Sequence, residues 1–312
     1  MALETDLLID RRRLKRGLAF WRAAAVLAVL AAIGIVAAHT GPARSLLGGS
    51  VARLSVSGLI AEDRERDEAL RRAAEDSTVR ALIVAIDSPG GTVSGGEALH
   101  RALAEVAAKK PVVAVMGGTA ASAGYMVALP AARIYAREAT VTGSIGVIMQ
   151  TVEFAGLLER LGIRAEALTS GALKDQPSPF RPLSPEGRAA LDSVVQDLYA
   201  QFVAMVASGR RMDPQRVRAL ADGRVFTGRQ AVAEGLVDAI GGEAEARAWL
   251  AAERGIPASL PVRELAPEES DRLIPRLVRE TRKALVSERL SLDGLMALWH
   301  PSLIGAARGA GE

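Results

Sequence analysis

The chain has 312 residues, 49% of them hydrophobic and 24% charged, which suits one large globular domain or two modest ones. A 4% aromatic content argues against a nucleic-acid stacking platform, and the lack of cysteine excludes disulfides, thiolate metal sites and a cysteine nucleophile. The net charge of +3 belongs to the N-terminus: the first 22 residues hold six basic and three acidic side chains and the rest sum to zero, so no nucleic-acid partner is expected.

Residues 1–17 form a basic N-terminus containing Arg11, Arg12, Arg13, Lys15 and Arg16. From Ala23 to Ala38 the run AAAVLAVLAAIGIVAA is uncharged. Extended back to Leu18 it reaches the ~20 residues of a spanning helix, with Arg22 able to snorkel and Trp21 suited to the interface. The expectation is a single-pass transmembrane anchor over 18–39, a cytoplasmic N-terminus, and the remainder on the exported side of the cell (inner) membrane. The alternatives are a signal peptide cleaved after VAA, before His39, and a buried soluble helix, which would leave the basic cluster unexplained.

Beyond Ser50, ARLSVSGLI (52–60) reads as a strand and EDRERDEALRRAAED (62–76) as a charged helix. VRALIVAIDS (79–88) is a continuous apolar run, as in a strand buried on both faces, and it ends in a glycine loop. An amphipathic helix over 97–110 stops at Pro111, before the strand VVAVMGG (112–118). A small-residue helix from about Ala121, a strand at RIYA (133–136), the glycine-punctuated TVTGSIGVIMQ (140–150) and a helix at 155–161 follow. IRAEALTS (163–170) reads as a strand leading into the loop GALKDQPSPFRPLSPE. Ser184 and Pro185 mark the start of a long helix to about Ser208, and helical segments fill much of 213–254. Strands and helices alternating at this spacing predict an α/β fold with mainly parallel sheets over residues 50–266. Residues 267–312, helical in period but broken by proline, read as peripheral helices and a tail.

The candidate nucleophile is Ser122 in GGTAASAGYM (117–126), set among small residues as if to keep bulk away. AASAG is one residue from the G-x-S-x-G elbow, with Ala120 in place of the first glycine; a tight strand-to-helix turn tolerates only small neighbours. A serine needs a base. His39, His100 and His300 are scattered, which also leaves no metal or cofactor expected, and His100 on an amphipathic helix is ordinarily a solvated or satisfied histidine. Lysine is the other choice, because arginine cannot give up its proton at workable pH. Of five lysines, Lys174 alone lies in a glycine- and proline-rich loop, beside Ala172 and Leu173. Desolvation there would make it a base, whereas solvation beside Asp175 would not; the residues themselves leave both open. DSPGGTVSGG (87–96), after a buried strand and before a helix, is a candidate oxyanion loop that lacks nucleotide-binding glycine spacing.

Taken in order, DSPGG (87–91), GGTAASAGYMVAL (117–129), TVTGSIGVI (140–148), LTSGALKDQPSPFRPLSPE (168–186) and GRVFTGRQAVAEGLVDAIGG (223–242) resemble the signal peptide peptidase A family. These are membrane-anchored serine–lysine peptidases of the Clp/crotonase superfamily, and one copy of the domain corresponds to the short form. The resemblance implies a Clp/crotonase-like ββα superhelix with Ser122 as nucleophile and Lys174 as general base. It implies Ser144 as a hydroxyl orienting the lysine, and the backbone N–H groups of Gly91 and Ala123 as the oxyanion site. Ala123 where glycine is common and Met126 where an aromatic is frequent are small departures. The implied substrates are signal-peptide remnants and other membrane-associated peptides. A homo-oligomeric ring is also implied, with each active site completed between protomers. The competing readings are a non-catalytic membrane scaffold of the same fold and an enoyl-CoA hydratase-like enzyme, which would leave Ser122 and Lys174 unexplained.

Overall fold

The computed structural model describes residues 21–22, 24–29, 49–265 and 295–298, in two units divided at Gly49. In the first unit residues 21–22 and 24–29 are helical, and the rest of the expected anchor, with the basic cluster and His39, lies outside the described residues. Among the described residues no helix is long and apolar enough to cross a membrane.

The second unit opens with β1 (Ser50–Ile60) and α1 (Arg64–Glu75), the latter capped by Asp63, whose carboxylate accepts from the Arg66 N–H at 3.0 Å. β2 (Val79–Thr92) runs straight into α2 (Val93–Ala107), where the Thr92 hydroxyl accepts from the Gly95 N–H at 3.0 Å. β3 (Val112–Ala121), α3 (Ala123–Met126), β4 (Arg133–Ala136), β5 (Val141–Gly143), β6 (Ile148–Met149) and α4 (Ala155–Arg160) come next. The long α5 (Pro185–Arg210) starts where Ser184 accepts from the Gly187 N–H at 2.9 Å, with Pro185 at its first position. α6 (Pro214–Leu220), β7 (Val225–Thr227), α7 (Gly228–Ala233), β8 (Ala239–Ile240), α8 (Glu243–Arg254), β9 (Val262–Glu264) and β10 (Leu295–Leu298) complete it.

β2 lies parallel between β1 and β3; β4 and β5 are parallel to β3, β8 to β4 and β9 to β1. Among the described residues, antiparallel pairing joins β5 to β7 and β10 to both β2 and β6. The α/β class with mainly parallel pairing is therefore present. Side chains of β2 alternate between two cores, as a strand buried on both faces requires. Leu82, Val84 and Ile86 pack with Leu70 of α1 and Leu99 and Leu103 of α2, while Ala81 and Ile83 pack with Val113, Tyr135 and Leu250.

β3 changes partner along its length: Val113–Met116 pair with β4 and Thr119–Ala121 with β5. The change coincides with slips in both ladders of β2. On the β3 side Ile86 opposes Met116 but Ser88 opposes Ala120; on the β1 side Ser57 opposes Asp87 but Leu59 opposes Gly90. These bulges locally bend β2 and β3 where the partners change.

Three segments differ from the sequence reading. DSPGG is not a loop but a continuation of β2, which stays paired with β1 because Gly91 has no side chain: a Cβ there would stand 1.9 Å from the Ile60 carbonyl oxygen. IRAEALTS forms no strand; residues 163–169 are exposed and pair with nothing described, and an extended segment without a neighbour cannot make a ladder. Within the region read as peripheral helices, Leu295–Leu298 form a strand instead, taking the open edge beside Gly90–Thr92. The remainder of 266–312, His300 included, lies outside the described residues.

Candidate active site

Ser122 sits at the turn between β3 and α3 with φ 56° and ψ −119°. Its N–H donates to the Gly143 carbonyl at 2.8 Å, and its own carbonyl accepts from the Tyr125 and Met126 N–H groups at 2.9 and 3.0 Å. The turn is therefore pinned to β5 on one side and to the helix on the other, which holds a conformation that ordinarily costs about 1–3 kcal/mol. Among the described residues the non-glycine positions with positive φ are Ser122, Ser144 and Arg211. Arg211 is the left-handed cap of α5, a routine place for it. The strain that is not routine falls on the two serines.

The small neighbours of Ser122 act differently from the sequence expectation. Instead of leaving the serine open, they let surrounding elements close in. A Cβ on Gly124 would stand 2.8 Å from the Ser88 carbonyl oxygen, and one on Gly96 of α2 2.9 Å from the Ala123 Cβ. Ser122 is consequently 1% exposed, and among the described residues its Oγ has no hydrogen-bond partner. A buried hydroxyl without a partner costs about 1–3 kcal/mol, so the chain carries a donor held ready at a strained turn.

Of the five expected site residues, Ser122, Ala123 and Ser144 lie at or beside one turn, and Gly91 lies on the neighbouring strand β2. Gly143 pairs with Ala121 and receives the Ser122 N–H, so Ser144, one residue on, lies beside the turn; it is 8% exposed and its N–H donates to the Arg224 carbonyl at 2.8 Å. Ala123 opens α3, so its N–H has no intrahelical acceptor. Gly91 lies on the far half of β2, whose Ser88 pairs with Ala120 and touches Gly124. β10 runs antiparallel along Gly90–Thr92 and along Ile148–Met149, so this edge takes an extended apolar segment by backbone pairing.

Lys174 is the exception. It is exposed in the turn 171–174, with its N–H on the Gly171 carbonyl at 3.1 Å, and no hydrogen bond joins its ammonium group to Ser122 or Ser144. The neighbouring Asp175 carboxylate pairs with Arg181. Around Lys174 the chain exposes Val152, Phe154, Leu157, Leu161, Leu168 and Leu173, with Leu168 95% exposed. These exposed apolar side chains fall within one segment of the chain, 152–173.

His100 lines a cavity of about 550 Å³ between α2 and α5, with Leu129, Met205 and Ser208, and makes no bond to Ser122. Burial lowers its pKa, against the opposing pull of Glu97. Among the described residues no three His, Asp or Glu side chains gather as a metal site would need.

Two supports escaped the sequence reading. Ser88, within DSPGG, is fully buried and ties the glycine stretch to β1. Behind α3 the Tyr125 hydroxyl, its pKa pushed up by burial, donates to the Leu236 carbonyl at 2.9 Å, beside an ion pair of Arg210 and Asp238. A hydroxyl closing an apolar run and a tyrosine just past the small residues around Ser122 were the available signals.

A strand-to-helix turn that presents a strained, unbonded serine between two glycine-lined strands is the architecture of a serine hydrolase. Residues 104–257 match peptidase family S49. A protein of Synechocystis sp. named as a protease is 40% identical over 66% of this chain and 75% of its own length. A protein named as a signal peptide peptidase SppA in Enterococcus faecium is 38% identical over 61% of this chain and 60% of its own, and the chloroplastic serine protease SPPA of Arabidopsis thaliana 32% identical over 80% and 38%. A ClpP1 mutant from Listeria monocytogenes aligns over 61% of this chain and 91% of that one, with 16% identity and a TM-score of 0.41; the fold assignment rests on the strand pairing instead. The chain belongs to peptidase family S49, the signal peptide peptidase A family, and is a serine peptidase.

Proposed function

We propose that this serine peptidase is a membrane-anchored endopeptidase with Ser122 as nucleophile and Lys174 as general base, that it degrades remnant signal peptides and other membrane-associated peptides, and that it works as a homo-oligomeric ring in which Lys174 of one copy serves Ser122 of the next. The observation that carries the reading is the buried, unpartnered Ser122 Oγ at a positive φ. The exposed arm with Lys174 supports assembly between copies: among the described residues the Lys174 side chain is neither buried nor bonded, and the exposed apolar side chains of 152–173 suit a cover. The uncharged run 23–38 behind a basic cluster supports the anchor and an exported domain over residues 50–266.

In this reading neutral Lys174, desolvated under the neighbouring copy, takes the Ser122 proton while Oγ attacks the peptide carbonyl. Ser144 orients the amine. The Gly91 and Ala123 N–H groups hold the oxyanion, each donor being worth ~10²–10³ in rate. The protonated lysine then gives its proton to the leaving amine, and water releases the acyl group from Ser122 by the same steps in reverse. Backbone pairing along Gly90–Thr92, as β10 makes it, suits an extended apolar peptide.

The test is hydrolysis of a fluorogenic signal-peptide substrate by the full chain purified from membranes, set against Ser122→Ala, Lys174→Ala and Lys174→Arg. All three variants should be inert, Lys174→Arg included because it keeps the charge and lacks the base. Mixing Ser122→Ala with Lys174→Ala should restore part of the activity, since some sites then combine an intact serine with an intact lysine. Near-normal turnover by Lys174→Arg sinks the base, and no restoration sinks the shared site.

A further inference from the structure

We infer that Ser88 is a positioning residue that aims the Gly91 amide at the carbonyl attacked by Ser122. The inference rests on the peptidase reading above and adds a residue to it. Ser88 stands where both ladders of β2 slip: on the β1 side Gly58 alone opposes Ser88 and Pro89, and on the β3 side Asp87 alone opposes Gly117, Gly118 and Thr119. A bulge leaves ladder groups without partners, and this one lies in the interior, so something must take their place.

The Ser88 side chain does so. It is fully buried, and its Oγ donates to the Gly58 carbonyl at 2.7 Å while accepting from the Gly90 N–H at 3.1 Å; the Gly90 carbonyl, at 3.3 Å, is the more distant second acceptor. One hydroxyl proton and one lone pair thus close the β1 side of the bulge. On the other side the Asp87 carboxylate accepts from the Thr119 N–H at 2.9 Å. Gly58 and Gly90 both have positive φ, so without these bonds the peptide planes on either side of Pro89 would be free to reorient.

What the bonds hold is the approach to Gly91. Past Gly90 the strand is pressed onto β1, and a Cβ on Gly91 would meet the Ile60 oxygen at 1.9 Å. Ser88 also meets the nucleophile from the other side, since its carbonyl and Cβ would lie 2.8 and 3.4 Å from a Cβ on Gly124, two residues past Ser122. A single residue therefore sets the spacing between the oxyanion strand and the nucleophile turn. A small displacement there matters because an oxyanion donor works only within a few tenths of an ångström of its place.

The experiment compares Ser88→Ala and Ser88→Cys with wild type. Ser88→Ala should lower kcat roughly 10- to 100-fold, less than outright loss of a donor, and leave KM within about twofold. Ser88→Cys, of similar shape with a weak donor, should fall between, and it carries the comparison if Ser88→Ala fails to fold. A peptide aldehyde, whose C=O takes up the Ser122 Oγ–H to form a hemiacetal with its oxygen at the oxyanion site, should lose affinity in step with kcat. The affinity of the uncleaved peptide, measured on Ser122→Ala with and without Ser88→Ala, should not change. A kcat and aldehyde affinity within twofold of wild type in both variants overturns the inference. So does a loss matched by an equal loss of peptide affinity, which is what mere loosening of the fold would give. A wild-type chain that neither cleaves the peptide nor binds the aldehyde overturns the peptidase reading, and this inference with it.

Discussion

The turn at Ser122 and the arm at Lys174 belong to one proposed site but are built on different terms. Around Ser122 nearly everything is buried and bonded. Thr140 and Thr142 hydroxyls donate to the Gly117 and Ala120 carbonyls, both at 2.7 Å, β5 receives the Ser122 N–H, and the buried Ser122 Oγ is left without a partner among the described residues. Around Lys174 the chain from Val152 to Leu173 is exposed along almost its whole length, and its expected strand has no ladder. The core thus fixes Ser122, whereas among the described residues only the turn bond to Gly171 holds the chain at Lys174. A site divided in this way can remain idle in a single chain and become competent on assembly.

The largest effect expected of that contrast is at Gly91. Gly91→Ala puts a methyl 1.9 Å from the Ile60 carbonyl oxygen, a clash with backbone that no rotamer relieves. The rate of peptide hydrolysis should fall at least the ~10²–10³-fold of a lost oxyanion donor, with a lower unfolding temperature as well. Activity near wild type would mean that the oxyanion strand is not held by β1 at all.

A pair of leucines sharpens the same contrast in stability. Leu103, fully buried in α2 against β2, should cost about 2–5 kcal/mol on truncation to alanine. Leu168, 95% exposed in the arm, should change the stability of the dissociated chain by less than about 0.5 kcal/mol, yet it should weaken assembly. Denaturant unfolding and the concentration dependence of oligomer size read the two quantities separately. An equal loss of unfolding free energy in both variants would erase the distinction between platform and arm.

How far the sequence reached follows the same division. β2 was legible because its apolar run is buried on both faces, and the Ser122 turn because a strand-to-helix reversal demands small residues. The continuation of β2 through DSPGG was not, since proline and glycine signal a loop and the bonds that override the signal come from Gly58, thirty residues away. Nor was the burial of Ser122: small residues read as open space, but in a packed interior they invite neighbours closer. For Lys174 the local sequence left base and solvated lysine open; the structure shows the residue exposed and the Asp175 carboxylate paired with Arg181. IRAEALTS has the composition of a strand, but a strand is a pairing, and composition does not supply the neighbour.

The last effect concerns what stands behind the platform. Arg210, at the end of α5, donates to both Asp238 carboxylate oxygens at 2.7 and 3.1 Å and to the Gly235 carbonyl at 3.0 Å, while Asp238 also accepts from the Ile134 N–H at 2.7 Å. This knot fixes the loop whose Leu236 carbonyl receives the Tyr125 hydroxyl, and through Tyr125 it reaches the nucleophile helix. Burial by itself would raise the Asp238 pKa, but the hydrogen bonds and charge of Arg210, with the Ile134 N–H, hold it below the ordinary carboxylate value. A carboxyl whose folded pKa is depressed contributes stability that is complete above its unfolded pKa, near ~3.9, and is lost as pH falls through the folded value. Asp238→Asn should therefore cost about 1–3 kcal/mol at pH 7 and progressively less below about pH 4, where the unfolded carboxyl takes up a proton and, at lower pH, the folded one does too. Urea unfolding at pH 7 and pH 3 measures the gap at both ends. A gap of the same size at both would mean that packing, not the ion pair, joins this knot to the nucleophile helix.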